Sequence, residues 1–156
     1  MSLSKKRCMM QASKLILVNC IRRGMTAENI AFNRALVPHI KPNYQSAEEK
    51  GFKRVFDESE YSNFSYVFHK NGMWRDVEDL EYEIVEMMMK KQGITHPLTL
   101  TSMSNLAVAH SYQGKYEEAV ELELKVVDLY KTVLGPEHPD TLTVMANLAR
   151  ASVEQG

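Results

Sequence analysis

Six of the seven glycines, Gly51, Gly72, Gly93, Gly114, Gly135 and Gly156, stand at a constant interval of 21 residues. Glycine at a fixed interval marks a backbone position that needs a positive φ, most simply the residue just past a helix end. An interval of 21 holds one helix of roughly four to five turns and a short connection. The comb therefore predicts helix, stop, helix, stop along the chain. At 156 residues there is room for a core, and 44% hydrophobic with 25% charged residues excludes a wholly disordered or collagen-like chain.

Alternate teeth carry different sequences, so the repeating unit is 42 residues long. Residues 93–114 lie over 135–156 with 13 identities in 22 positions. The intervening segments, 73–92 and 115–134, match more loosely. There Val77, Leu80, Ile84 and Met87 fall on Ala119, Leu122, Val126 and Leu129, spacings that put one apolar stripe on one helix face. One repeat earlier, Asn63 aligns with Asn105 and Asn147, and Phe64 with Leu106 and Leu148. Over 31–51 only Phe32 and Ala35 keep the register, and Pro38 and Pro42 argue against a long continuous helix. Residues 1–30 fall outside the register and read as two helices, roughly 8–22 and 26–37. The expected organisation is a basic helical segment over 1–56, a linker or degenerate helical region, and a repeat array over 57–156 of about two and a half repeats.

The net charge of −1 hides a division. Residues 1–56 carry eleven Lys and Arg against Glu28, Glu48 and Glu49, a net +8, and the remainder carries −9. Opposite signs suggest two structural units, or a basic piece docking on an acidic one, although a solvated surface accounts for them equally well. Before Glu28 there are six basic residues and no acid. That permits a mitochondrial presequence, but the apolar-rich run there favours a packed helix. Nucleic-acid binding is not expected, because the basic stretch lacks interleaved aromatics and the rest of the chain repels phosphate. No membrane span is expected either, since the longest apolar run, Leu15 to Val18, is far too short. Cys8 and Cys20 form no CxxC and have no second pair, so a reducing, cytoplasmic setting is the default.

The repeat carries a family resemblance. Asn105-Leu106-Ala107, then Gln113 to Ala119, then Leu134 to Thr141, closely resemble the 42-residue tetratricopeptide repeats of kinesin light chains. Similar arrays stand at the C-terminus of many NB-ARC and NACHT-type signalling NTPases, and residues 31–40 resemble the helical segment that joins the two parts in such proteins. The resemblance implies an all-α fold, a right-handed α-solenoid of antiparallel helix pairs. It also implies a concave wall built by the first helix of each pair, on which Asn63, Tyr66, Thr101, Ser104, Asn105, Val108, Thr143, Asn147 and Arg150 would bind an extended peptide or a partner helix. A row of Asn suits a peptide, because a carboxamide both donates to and accepts from backbone. The same row could instead bond adjacent helices and specify repeat stacking, and the two roles are compatible.

Candidates for chemistry fare poorly against this scaffold. His96 and His138 recur once per repeat in a His-Pro turn, which argues for a turn role over metal ligation. Glu78, Asp79, Glu81 and Glu83, with Glu117, Glu118, Glu121 and Glu123, read as a solvated helix face. Met87, Met88 and Met89 read as core and rim. There is no GxxxxGK[ST] phosphate loop, nucleophile elbow or Cys/His pair. The expectation is a protein-interaction scaffold with no catalysis, metal or cofactor, whose partner is a protein or peptide. A sensor or oligomerisation arm of an NB-ARC-type NTPase is the alternative, and a small enzyme ranks below both. The helix over 136–156 has no second helix after it. It is expected to bury Leu142, Met145 and Leu148 and to leave Val144 and Ala151 open to self-association or to a continuation of the chain.

Overall fold

Periodicity and turn chemistry produce six helices among the described residues, which in this computed structural model are 26–49 and 57–155 together with residue 21. They are α1 (Ala27–Glu49), α2 (Glu58–Lys70), α3 (Trp74–Gln92), α4 (Pro97–Tyr112), α5 (Tyr116–Val133) and α6 (Pro139–Gln155). No strand occurs among these residues, so the fold is an all-α solenoid of helical repeats. The described residues fall into two units, α1 and α2 up to Gly72 and α3 to α6 from Met73. The expected helix over 8–22 lies outside the described residues.

In the first unit, α1 and α2 pack on one another around Ile40, Phe64, Val67 and Phe68. A capping box starts α2: Glu60 N–H donates to Asp57 Oδ1 at 3.0 Å, and Asp57 N–H donates to Glu60 Oε2 at 2.8 Å. The prolines do not break α1, which runs unbroken through Pro38 and Pro42. Each proline removes the bond to the carbonyl four residues back, those of Arg34 and Pro38. Both rings are exposed on one side of the helix, four residues apart, so water can satisfy the freed carbonyls.

The second unit packs α3 on α4, α4 on α5 and α5 on α6, with α4 and α6 also touching. Its core joins Leu100 and Met103 of α4, Val126, Val127 and Tyr130 of α5, and Val144 of α6. Gly114 and Gly135 have φ of +77° and +92°. After α4 the turn is a Schellman motif, in which Lys115 N–H donates to His110 O and Gly114 N–H to Ser111 O, both at 3.0 Å. After α5, Gly135 N–H donates to Lys131 O at 3.1 Å, the simpler αL ending.

The turn into the first helix of each pair, the A helix, is built alike at α4 and α6. Leu98 N–H donates to His96 Nδ1 and Asp140 N–H to His138 Nδ1, each at 3.2 Å. The histidines are thus the N-caps of α4 and α6, a place more often held by Ser, Thr, Asp or Asn. Thr99 and Thr141 do not cap; their hydroxyls donate backwards to Gly93 O at 2.9 Å and Gly135 O at 2.8 Å, latching the turn.

The phase of α6 reverses the sequence expectation. Val144 and Ala151 are buried, whereas Leu142 and Met145 are 53% and 39% exposed; of the three residues expected inside, only Leu148 packs against the core. An A helix has two apolar faces, one for the helix before it and one for the helix after it. Period 3.6 reveals both faces without saying which is which.

Candidate partner-binding face

On α4 the exposed or half-buried residues Leu98, Thr101, Asn105, Val108 and Tyr112 recur at spacings of three and four and form one stripe. The same register on α6 gives Asp140, Thr143, Asn147, Arg150 and Glu154, all exposed or half-buried. Two contacts set the stripes side by side. Asn147 Nδ2 donates to Ser104 Oγ at 3.5 Å, and the Arg150 guanidinium lies over the Tyr112 ring, 5.0 Å from its centroid. Trp74, opening α3, stacks on Tyr112 at 4.0 Å and 5°. With Trp74 covering one face of the phenol ring, Arg150 takes the other, so α3, α4 and α6 meet in a layered aromatic and cationic stack.

The asparagines are anchored inward. Asn105 Nδ2 donates to Glu81 Oε1 of α3 at 3.2 Å, and because a carboxylate only accepts, the amide orientation is fixed. Asn147 begins a relay across three helices: its Nδ2 donates to Ser104 Oγ of α4, and Ser104 Oγ donates to Glu123 Oε1 of α5 at 3.2 Å. Each asparagine thus commits one amide N–H to stacking and keeps its Oδ1 acceptor uncommitted. Ser104 is buried in this relay and offers nothing to an incoming chain. Thr101 and Thr143 are exposed, with hydroxyls that donate to Pro97 O and Pro139 O at 2.9 Å. Val108 and Arg150 are half-buried on the stripe, and Arg150 pairs with Glu154 at 3.7 Å. Asn63 and Tyr66 lie in the first unit, both half-buried on α2, with the Lys70 ammonium 5.7 Å from the Tyr66 ring centroid.

Glu81 and Glu123 correct the reading of a solvated acidic face. Both are buried, and they occupy the same repeat position, 42 residues apart. The signal was present in the sequence: Ala119, Glu123, Val126 and Tyr130 share one helical stripe, so Glu123 sits among apolar residues. Glu123 is 1% exposed, and its Oε2 has no hydrogen-bond partner. Burial pushes its carboxyl up to about 7, against the bond from Ser104 and the charge of Arg150. Glu78 is also drawn inward. Burial alone would raise it, but Lys115 Nζ at 2.6 Å and Gln113 Nε2 at 2.8 Å, with His110 Nε2 at 3.2 Å, hold it below the usual carboxylate range. This cluster ties the end of α4 to the N-terminal half of α3.

Among the described residues no group of three or more His, Cys, Asp and Glu is placed to hold a metal ion. No helix among them is long and apolar enough to cross a membrane. The α4–α6 face holds polar acceptors, an aromatic–cation stack and apolar Leu98 and Val108.

These features define a helical-repeat protein whose A helices present an outward stripe. Residues 99–140, one full period, match the tetratricopeptide repeat family model. No curated protein matches the chain. Two crystal structures of a Podosopora anserina protein provisionally named a kinesin light chain, with nearly identical TPR-like repeats, are similar to it in fold. Both are 23% identical; one, a single-substitution form, aligns with a TM-score of 0.56 over 98% of this chain and 78% of that one, and the other with 0.55 over 98% and 79%.

Proposed function

We propose that the second unit is a protein-interaction module that holds an extended peptide along the α4–α6 face. Tetratricopeptide repeats generally mediate protein–protein interaction, and scaffolds of this kind are typically non-catalytic. The observation that carries the reading is the pair of uncommitted Oδ1 acceptors of Asn105 and Asn147 on neighbouring helices. Their amide donors are fixed inward, so both acceptors are preset for backbone N–H groups of one strand. Thr101, Val108, Thr143 and Arg150 flank them, and the Tyr112–Arg150 stack favours a peptide carboxylate at that end.

The test is selection of a displayed random-peptide library on the full chain. Enriched peptides should be acidic toward one end and should lose at least about tenfold in affinity against Val108→Glu, a half-buried change on the stripe. Selected peptides that bind Val108→Glu and Arg150→Ala as well as the parent would refute the assignment of this face.

A further inference from the structure

The glycine at the end of α2 differs from its counterparts in the residue before it. Gly93, Gly114 and Gly156 follow glutamine and Gly135 follows Leu134, whereas Gly72 follows Asn71. Of the eight asparagines in the chain, Asn71 alone precedes a glycine. The difference is chemical. An asparagine amide sits one methylene from Cα, so its carbon can close a five-membered ring with the next backbone nitrogen. Glycine, with no side chain, leaves that nitrogen open to attack. Glutamine would have to close a six-membered ring, which forms more slowly. Asn71 is the C-cap of α2, and three hydrogen bonds hold the pair. Asn71 Nδ2 donates to Val67 O at 2.8 Å, Asn71 Oδ1 accepts from Arg34 Nε of α1 at 3.2 Å, and Gly72 N–H donates to His69 O at 3.2 Å. Gly72 is exposed and Asn71 half-buried, so water reaches both.

We propose that Asn71 is a self-modification site, converted to aspartate or isoaspartate when it is released from Arg34. Gly72 N attacks Asn71 Cγ and forms the new bond. The Cγ–Nδ2 bond breaks, and Nδ2 leaves as ammonia, carrying the Gly72 amide proton. Water then opens the cyclic imide, at Cγ to give aspartate or at the main-chain carbonyl carbon to give isoaspartate. No reactant besides water is needed. The three hydrogen bonds oppose the first step, because they hold the amide against α2 and α1 and keep the Gly72 nitrogen turned to His69 O. Arg34 supplies the one bond that comes from another helix, so local parting of α1 from α2 frees the amide, and fraying of the last turn of α2 completes the opening. The products do not restore the cap. An aspartate at this position keeps Arg34 as a charged partner, but it has no hydrogen for Val67 O and sets a negative charge at a helix C-terminus. Isoaspartate adds a methylene to the main chain within the last two residues of the first unit.

Peptide-mapping mass spectrometry of the full chain, kept in mildly alkaline buffer with and without urea, tests this. In urea Asn71 should convert faster than every other asparagine, and Gly72→Ala should slow it there, where folding plays no part. Arg34 is exposed, so its replacement leaves the core of the unit intact. Without urea the parent should convert at least about tenfold more slowly than in urea, as expected for a reaction that waits on local opening. Arg34→Ala should raise that folded rate about fivefold, the change expected for one lost hydrogen bond, with helicity kept and the rate in urea unchanged. Arg34→Met, which keeps the aliphatic stem, gives the same comparison if alanine loosens the unit. An Asn71 that is stable in urea, equal parent rates with and without urea, or a folded rate that neither Arg34 substitution moves would overturn the proposal.

Discussion

Glu123 is sealed where α4, α5 and α6 meet, and burial there raises its carboxyl above the ordinary carboxylate value. Its carboxyl rises from 4.5 to about 7 on folding, so the folded chain holds a proton that the unfolded chain has released between those values. The contribution is therefore fully present below pH ~4.5 and declines as pH rises to about 7, a change on the order of 3 kcal/mol. Glu78, held below its ordinary value, acts outside this window; its contribution is lost only as pH falls below about 4.5. His69, held down by burial and then by Lys70, is most favourable above pH ~6.5 and so opposes the trend. Urea unfolding of parent and Glu123→Gln at pH 5 and pH 8 isolates the carboxyl. The variant should gain stability at pH 8 relative to the parent, and equal slopes in both would contradict a proton held at Glu123. Asn105→Ala removes a donor from buried Glu81 and should cost about 1 kcal/mol or more in the same measurement, showing that the asparagine row serves stacking. These roles were half-legible in the sequence. The 42-residue row announced Asn105 and Asn147, whereas Glu81 and Glu123 read as part of a run of surface acids unless each is set against the apolar residues of its own stripe.

At the scale of the element, the repeat is written in its turns. His96 and His138, Thr99 and Thr141, Pro97 and Pro139 make the same bonds 42 residues apart, so their recurrence alone identified a turn. The glycines were equally legible, and their substitution has a defined cost. A Cβ at Gly114 or Gly135 would meet nothing within 4 Å, so the penalty of Ala is torsional and not steric. Each of Gly114→Ala and Gly135→Ala should lower stability by about 1 kcal/mol, and Asn at either site by less, as read from denaturant midpoints. What could not be read was the phase of α6 and the passage of α1 through Pro38 and Pro42. Both depend on what lies beside the helix: which neighbour covers which apolar face, and whether the freed carbonyls reach water.

At the scale of the whole molecule, the proposed peptide face lies within the second unit. It is the stripe of Asn105 and Val108 on α4 and of Asn147 and Arg150 on α6. The Trp74, Tyr112 and Arg150 stack has no counterpart in the repeat, because its members come from three helices and different register positions, so no periodicity exposed it. The measurement that tests the central claim most directly is amide chemical-shift mapping of the full chain with a library-selected peptide. Perturbations are expected to gather on Thr101, Asn105, Val108 and Tyr112 of α4 and on Thr143, Asn147 and Arg150 of α6. Perturbations confined to the outer surfaces of α3 and α5, with those residues unmoved, would contradict it.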